Sequence, residues 1–315
     1  MSTFIILYTI ATTSIALLLG MLTFIVPSKT KRHKRDNIKE QYIRLLMHLI
    51  KENPSTLHIV AHGSRQRMAL AEAIYTMVSH TYGIDVNLFK QIATQNRLEE
   101  LILRSARHSS ETRRAHLLML MSSLPLSAPA RDTLRGYLAS DNALVRTSAL
   151  LAMLVNEPTS AIRSIASMEF DLQPLDIARI ITLLRRGVLP IAYEPLLLNN
   201  NRNLRMLGLA LVRSFGITEA EKHLYNIIYT EKNQEVLIEA IYTLSSLGRP
   251  LNRTRIRERL AGLSATQRRD FCRHMTIEGY SLQTMQTLFS CDESLYAEKI
   301  INTYKRGLTK IATTI

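Results

Sequence analysis

Apolar residues along most of this chain recur every three or four positions, the period of an amphipathic helix. No alternation of apolar and polar residues lasts long enough to specify a strand. Leu57–Ala61 is the one short β-like stretch, and its helical surroundings favour a helix there as well. A finer phrase is written into the pattern, clearest over Asp141–Leu154, DNALVRTSALLAML. An acidic or amide residue opens it. The aliphatic–Arg pair Val145-Arg146 follows one turn later, the small residue Ala149 comes three residues on, and aliphatics fill one face. Asn200–Phe215 repeats the phrase with Leu204-Arg205 and Gly208, and Asn233–Leu247 with Val236-Leu237 and Ala240. Ser110–Leu124 is a looser copy with Arg113-Arg114.

The copies keep register. Arg114 to Arg146, Arg205 to Leu237, and Leu237 to Arg269 are each 32 residues apart. The 59 residues between Arg146 and Arg205 leave room for one more copy near Ala178. A fixed period near this length marks stacked repeats. Each unit is expected to be a helical hairpin whose apolar face is buried only by its neighbours. Pro125, Pro158, Pro174, Pro190, Pro195 and Pro250 fall between the apolar runs, where a proline removes no helical hydrogen bond.

In these features the chain resembles HEAT-repeat proteins, over roughly Ser105 to Thr303. The resemblance implies an all-α fold, a right-handed α-solenoid of helical hairpins that binds other macromolecules, and it implies no catalytic residue. Two departures stand out: Leu237 occupies the position expected for Arg, and the copy near Ala178 has no aliphatic–Arg pair.

Ahead of the repeats, Phe4–Val26 runs without a charge. As a helix it is about 35 Å long, enough to span a bilayer. Lys29, Lys31, Arg32, Lys34 and Arg35 follow at once, while nothing charged but the amino terminus precedes it. The basic side stays in the cytoplasm. The expectation is therefore one membrane-spanning helix in an inner (cytoplasmic) membrane, with the N-terminus outside and the rest of the chain in the cytoplasm. A cleaved signal peptide fits less well. It needs a basic stretch before a shorter apolar run, and basic residues directly after the run resist translocation. Thr12, Ala16 and Gly20 recur every four residues and form a candidate packing face for a second membrane helix, although small residues are common in such spans. The basic segment orients the span and attracts anionic headgroups. The expected organisation is an anchor over 1–28, a polybasic linker over 29–36, N-terminal helical pairs over 37–104 and HEAT-like repeats over 105–315.

Among the N-terminal pairs, Asp36 is expected to cap a helix whose stripe is Ile38, Tyr42, Leu45, Leu46, Leu49 and Ile50. Ser64 is expected to open a helix that stops at Gly83, Asp85 the next, and Asn96 a helix with Leu98, Leu101, Ile102 and Ala106 on one face.

Composition changes this picture little. Hydrophobic content of 46%, 11 glycines and 9 prolines suit a folded chain of 315 residues rather than a disordered one. Two cysteines, Cys272 and Cys291, make no disulfide framework. His58 and His62 share a helical spacing, but Ile59 stands where a metalloprotease needs Glu, so they read as surface histidines. Cys272, His274 and Cys291 lack a Cys-x-x-Cys knuckle, and Cys272 reads as a buried thiol. Glu99 and Glu100 point about 100° apart on a helix and make no acid–base pair. No phosphate loop, nucleophile elbow or kinase motif is present. No catalytic residue, cofactor or metal is expected.

Charge does change the picture. The net formal charge is +14, of which the juxtamembrane segment supplies five. From Arg249 to Arg273 stand Arg249, Arg253, Arg255, Arg257, Arg259, Arg268, Arg269 and Arg273 against only Glu258 and Asp270. Two readings stay open: a solvated face whose Arg stems cover apolar surface, or a docking site for an acidic protein or phosphate-bearing ligand. Arg202, Arg205 and Arg213 are placed to extend it. The favoured function is a membrane-anchored scaffold or adaptor for a protein partner, itself membrane-associated. A basic solenoid for nucleic acid is the alternative, weakened by the anchor and by the absence of tryptophan for base stacking. An enzyme on a HEAT-like scaffold is the third reading.

Overall fold

The structure, a computed structural model, describes residues 36–48, 50–51, 59–81, 84, 86–185, 192–289 and 291–312. The fold is all-α: every regular element among these residues is helical. None of their helices is long and apolar enough to cross a membrane. The expected anchor, with Thr12, Ala16 and Gly20, and the basic residues 29–35 lie outside the described residues.

The described residues up to Ala161 form one compact unit and those from Ile162 a second. The first contains α1 (residues 36–48), α2 (Gly63–His80), α3 (Lys90–Gln95), α4 (Leu98–Arg107), α5 (Glu111–Leu120), α6 (Ala128–Tyr137) and α7 (Ala143–Asn156). Here α2 packs on α4, α4 on α5, α5 on α7 and α6 on α7. After α8 (Pro158–Ser167), the second unit contains α9 (Pro174–Leu184), α10 (Glu194–Leu197), α11 (Arg202–Phe215), α12 (Glu221–Thr230), α13 (Gln234–Ser246), α14 (Thr254–Ala261), α15 (Ala265–Ile277), α16 (Leu282–Leu288) and α17 (Cys291–Ala312). Its α9, α11, α13, α15 and α17 pack in chain order, while α10, α12 and α16 each pair with the helix that follows. Leu209, Leu224, Ile228, Leu244, Ile256, Phe271 and Met275 fill the core between these helices.

The caps of α5, α7, α9, α11, α13 and α15 are Ser110, Asn142, Gln173, Asn201, Asn233 and Ser264. The Asn142, Asn201, Asn233 and Ser264 side chains accept from first-turn N–H groups, and Gln173 forms a capping box with Asp176. The helix expected near Ala178 is α9.

Four residues after its cap, each of four helices carries an arginine that turns back. Arg114 donates to the Ala106 and Ser109 carbonyls at 3.1 and 3.0 Å. Arg146 donates to those of Ser140 and Asp141 at 2.6 and 2.9 Å. Arg205 bonds the Asn199 carbonyl, and Arg268 those of Ala261 and Leu263. These carbonyls end the preceding helix or its linker and have no intrahelical donor. The repeated arginine is thus a staple across the turn. The spacing placed Arg269 in this role; Ser264 caps α15 one residue earlier than that spacing allows, so the staple is Arg268.

The small residue of the phrase has a packing cause at Gly208. A Cβ there would meet Leu196 Cβ and a Leu197 side-chain carbon at 3.0 Å, so α11 lies closer to α10 than a side chain permits.

A second device was not visible in the phrase. Three asparagines each clamp one edge of a distant extended segment. Asn96 accepts from Ala61 N–H at 2.7 Å and donates to the Ile59 carbonyl at 2.6 Å. Asn156 does the same to Leu126 and Leu124 at 2.8 and 3.2 Å, and Asn203 to Leu172 and Phe170 at 2.8 and 2.9 Å. Each amide replaces one rung of a β-ladder and satisfies backbone that no helix can satisfy.

These clamps correct three expectations. Residues 59–61 are extended, not helical, because Asn96 holds them. Asn96 does not open α4; it ends α3, and Arg97 at φ 48° begins α4. The cap of α2 is His62 rather than Ser64, with Gln66 accepting from the His62 N–H at 2.8 Å. On α1 the apolar stripe is only partly covered: Leu46 is buried, whereas Leu45 is 43% exposed.

The Asn203→Ala variant removes the acceptor of the buried Leu172 N–H and a donor to the part-buried Phe170 carbonyl. It should lose about 2–4 kcal/mol of stability in urea unfolding. Asn226→Ala, on an exposed position of α12, should change it by less than about 0.5 kcal/mol.

Candidate partner-binding surface

The arginine-rich segment is built on α12. Tyr225 and Tyr229 stand four apart there, so both rings reach the same side of the helix. Their centroids are 6.0 Å apart with planes at 29°. The Tyr225 hydroxyl donates to the Pro250 carbonyl at 3.2 Å, which fixes the chain just before α14. Arg253, the cap residue of α14, then lays its guanidinium 3.8 Å from the Tyr225 ring centroid, and Arg255 lies 5.0 Å from that of Tyr229. A hydrogen bond to Tyr229 further favours the charged form of Arg253. Burial raises the pKa of the Tyr225 phenol. Cation–π contacts of this kind orient a guanidinium without neutralising it. Arg253, Arg255 and Arg257 are exposed, and none is in an ion pair with a described carboxylate.

The other five arginines do not join them. Arg249 pairs with Glu221 at 3.0 Å. Arg259 donates to the Ile228 carbonyl at 3.1 Å and to that of Glu231, closing the end of α12. Arg268, the staple of α15, pairs with Glu293 at 2.7 Å. These three are half-buried and already compensated. Arg269 and Arg273 belong to a separate patch on α15, against Tyr296 of α17. Arg269 lies 5.8 Å from the Tyr296 ring centroid, and Arg273 donates to its hydroxyl at 3.0 Å while facing Asp270 at 3.6 Å.

Arg202, Arg205 and Arg213 do not extend the patch as free charge. Arg202 pairs with Glu235 and with Asp171 at 3.3 Å, Arg205 with Glu231, and Arg213 with Glu239 at 2.7 Å. The tyrosine ladder was missed in the sequence, although Tyr-x-x-x-Tyr on one helix followed by Arg-x-Arg at the start of the next is a usable signal for it.

The other candidate constellations have separate places. Cys272 is buried, and burial, with the Glu293 carboxylate, pushes its thiol up to about 12, too high for thiolate chemistry at neutral pH. The His274 ring lies 4.0 Å from that of Tyr242, and its pKa is lowered, chiefly by burial and further by the charge of Arg213. Among the described residues no group of three or more His, Cys, Asp or Glu side chains could hold a metal ion. His62 is exposed, and His58 lies outside the described residues. Glu99 accepts from the Ser127 N–H at 2.8 Å, whereas Glu100 pairs with Arg104 at 2.7 Å, so the two carboxylates serve different helices.

No protein-family profile matches the chain, and no curated protein matches it.

His274 is held neutral, so its folded-state pKa lies below its unfolded one. The associated stability is present above the ordinary value of 6.5 and is lost as pH falls through the lowered folded value. The urea midpoint should therefore drop between pH 7.5 and pH 5.5, and His274→Gln should make that drop smaller.

Proposed function

We propose that this chain is a membrane-anchored scaffold whose helical hairpins form a HEAT-like solenoid, and that it holds an acidic protein partner through Arg253, Arg255 and Arg257. The observation that carries the reading is the Tyr225–Tyr229 ladder. Two guanidiniums laid on aromatic rings keep full charge and reduced freedom, the condition under which an arginine gains most from a carboxylate partner. The uncharged Phe4–Val26 stretch and the basic residues behind it support an anchor with the helical units in the cytoplasm. Tethering then confines scaffold and partner to two dimensions and raises their effective concentration.

Nucleic acid is a weaker reading. Arg253 and Arg255 each occupy a face of Tyr225 and Tyr229 and compete there with base stacking.

The test is recovery of the full-length protein from native membranes in mild detergent, beside a form lacking residues 1–28. The full-length form should sediment with membranes and bring down a protein that Arg253→Glu, Arg255→Glu and Arg257→Glu together release. Recovery of nucleic acid alone, leaving at higher salt, would refute the reading.

A further inference from the structure

A groove in the second unit lies away from the tyrosine ladder. It has a volume of about 310 Å³ and runs between α9 and α11. Its floor is apolar, from Ile177 and Ile181 on α9 and Met206 and Ala210 on α11. It is open because the residues at its rim are short: Ala178 and Thr182 are exposed on α9 where longer side chains would fill it. The lining positions follow one stripe of α9 from Pro174 to Arg185, about 16 Å at 1.5 Å per residue. That length matches about three turns of a docked helix rather than a compact small molecule.

The polar groups gather at one end. Arg213 and Glu239 pair at 2.7 Å and offset each other, and burial raises the pKa of Glu239. Arg185 donates to the Ser214 carbonyl at 3.0 Å but is in no ion pair with a described carboxylate, and it is exposed. The groove is therefore an apolar channel ending in one uncompensated cation.

We propose that this groove binds an acidic amphipathic helix of a protein partner, with aliphatic side chains over Ile177, Ile181 and Ala210 and a carboxylate on Arg185. Aliphatic anchors spaced three and four apart are what a channel between two parallel ridges accepts. An acidic residue one turn beyond them reaches the guanidinium, and a basic residue there meets repulsion. The inference is independent of the ladder: the two sites share no residue.

The probe is a pair of fluorescein-labelled synthetic helices with one leucine pattern, carrying Glu or Lys at every polar position. Binding to the full-length protein is read by anisotropy. The Glu peptide should bind, and Ala178→Trp, which fills the channel from an exposed position, should weaken it at least about tenfold without shifting thermal unfolding. Arg185→Glu should weaken it similarly and admit the Lys peptide. Arg255→Glu should leave both affinities unchanged; a loss there places the peptide on the ladder and overturns the proposal. So does the absence of saturable binding of the Glu peptide below about 1 mM, equal affinity in Ala178→Trp, or tighter binding of the Lys peptide to the unaltered protein.

Discussion

A chain of short helices has many ends, and every end leaves backbone N–H and C=O groups that the helix itself cannot bond. This constraint shapes the sequence more than any other. With no sheet among the described residues to absorb them, the connections are satisfied by side chains placed at fixed offsets. Asparagines at the helix starts take the N–H groups of α7, α11 and α13. Arginines four residues later take carbonyls of the turn behind them. Asn96, Asn156 and Asn203 reach 35, 30 and 31 residues back and each hold one edge of an extended connection. Hydrophobic burial supplies the larger favourable term. These bonds decide where each helix begins and how far it lies from its neighbour.

The same constraint sorts the charge. A basic chain of this composition invites the reading that its positive residues form one binding surface, yet several arginines of the second unit are engaged within it. Arg268 bonds carbonyls and Glu293, Arg259 closes α12, and Arg202, Arg205 and Arg213 join ion pairs between neighbouring helices. Those in no ion pair with a described carboxylate include Arg253 and Arg255 on the ladder, Arg257 on α14, Arg269 beside Tyr296, and Arg185 at the end of the groove. A guanidinium already bonded to carbonyls and a carboxylate has little to offer a ligand, so sequence density of arginine overstates the surface available.

The helical class and the period were legible because they rest on spacing, which the sequence displays directly. The phrase around Val145-Arg146 and Leu204-Arg205 marked real helix starts, and even the copy near Ala178, which lacked the pair, is the helix α9. The drift of one residue at Arg268 was not legible, because Gln267 and Ser264 set that cap through a reciprocal pair of hydrogen bonds. The extended segment at residues 59–61 was misread for a similar reason: its partner, Asn96, is 35 residues away from Ala61 in the chain. Of the candidate surface, the sequence displayed the charges but not their partners, and the Tyr225-x-x-x-Tyr229 spacing one helix earlier was the one sign of the rings that carry two of them.

The central claim is that the charges left on the tyrosine ladder face a protein. Site-specific photo-crosslinking tests this most directly, with a photoreactive residue at Arg257 in native membranes and a control at the exposed Asn226 of α12. The account predicts one discrete protein adduct from Arg257, sensitive to Arg253→Glu and Arg255→Glu. Adducts only to nucleic acid or lipid from Arg257, or a protein adduct indifferent to both charge reversals, would contradict it.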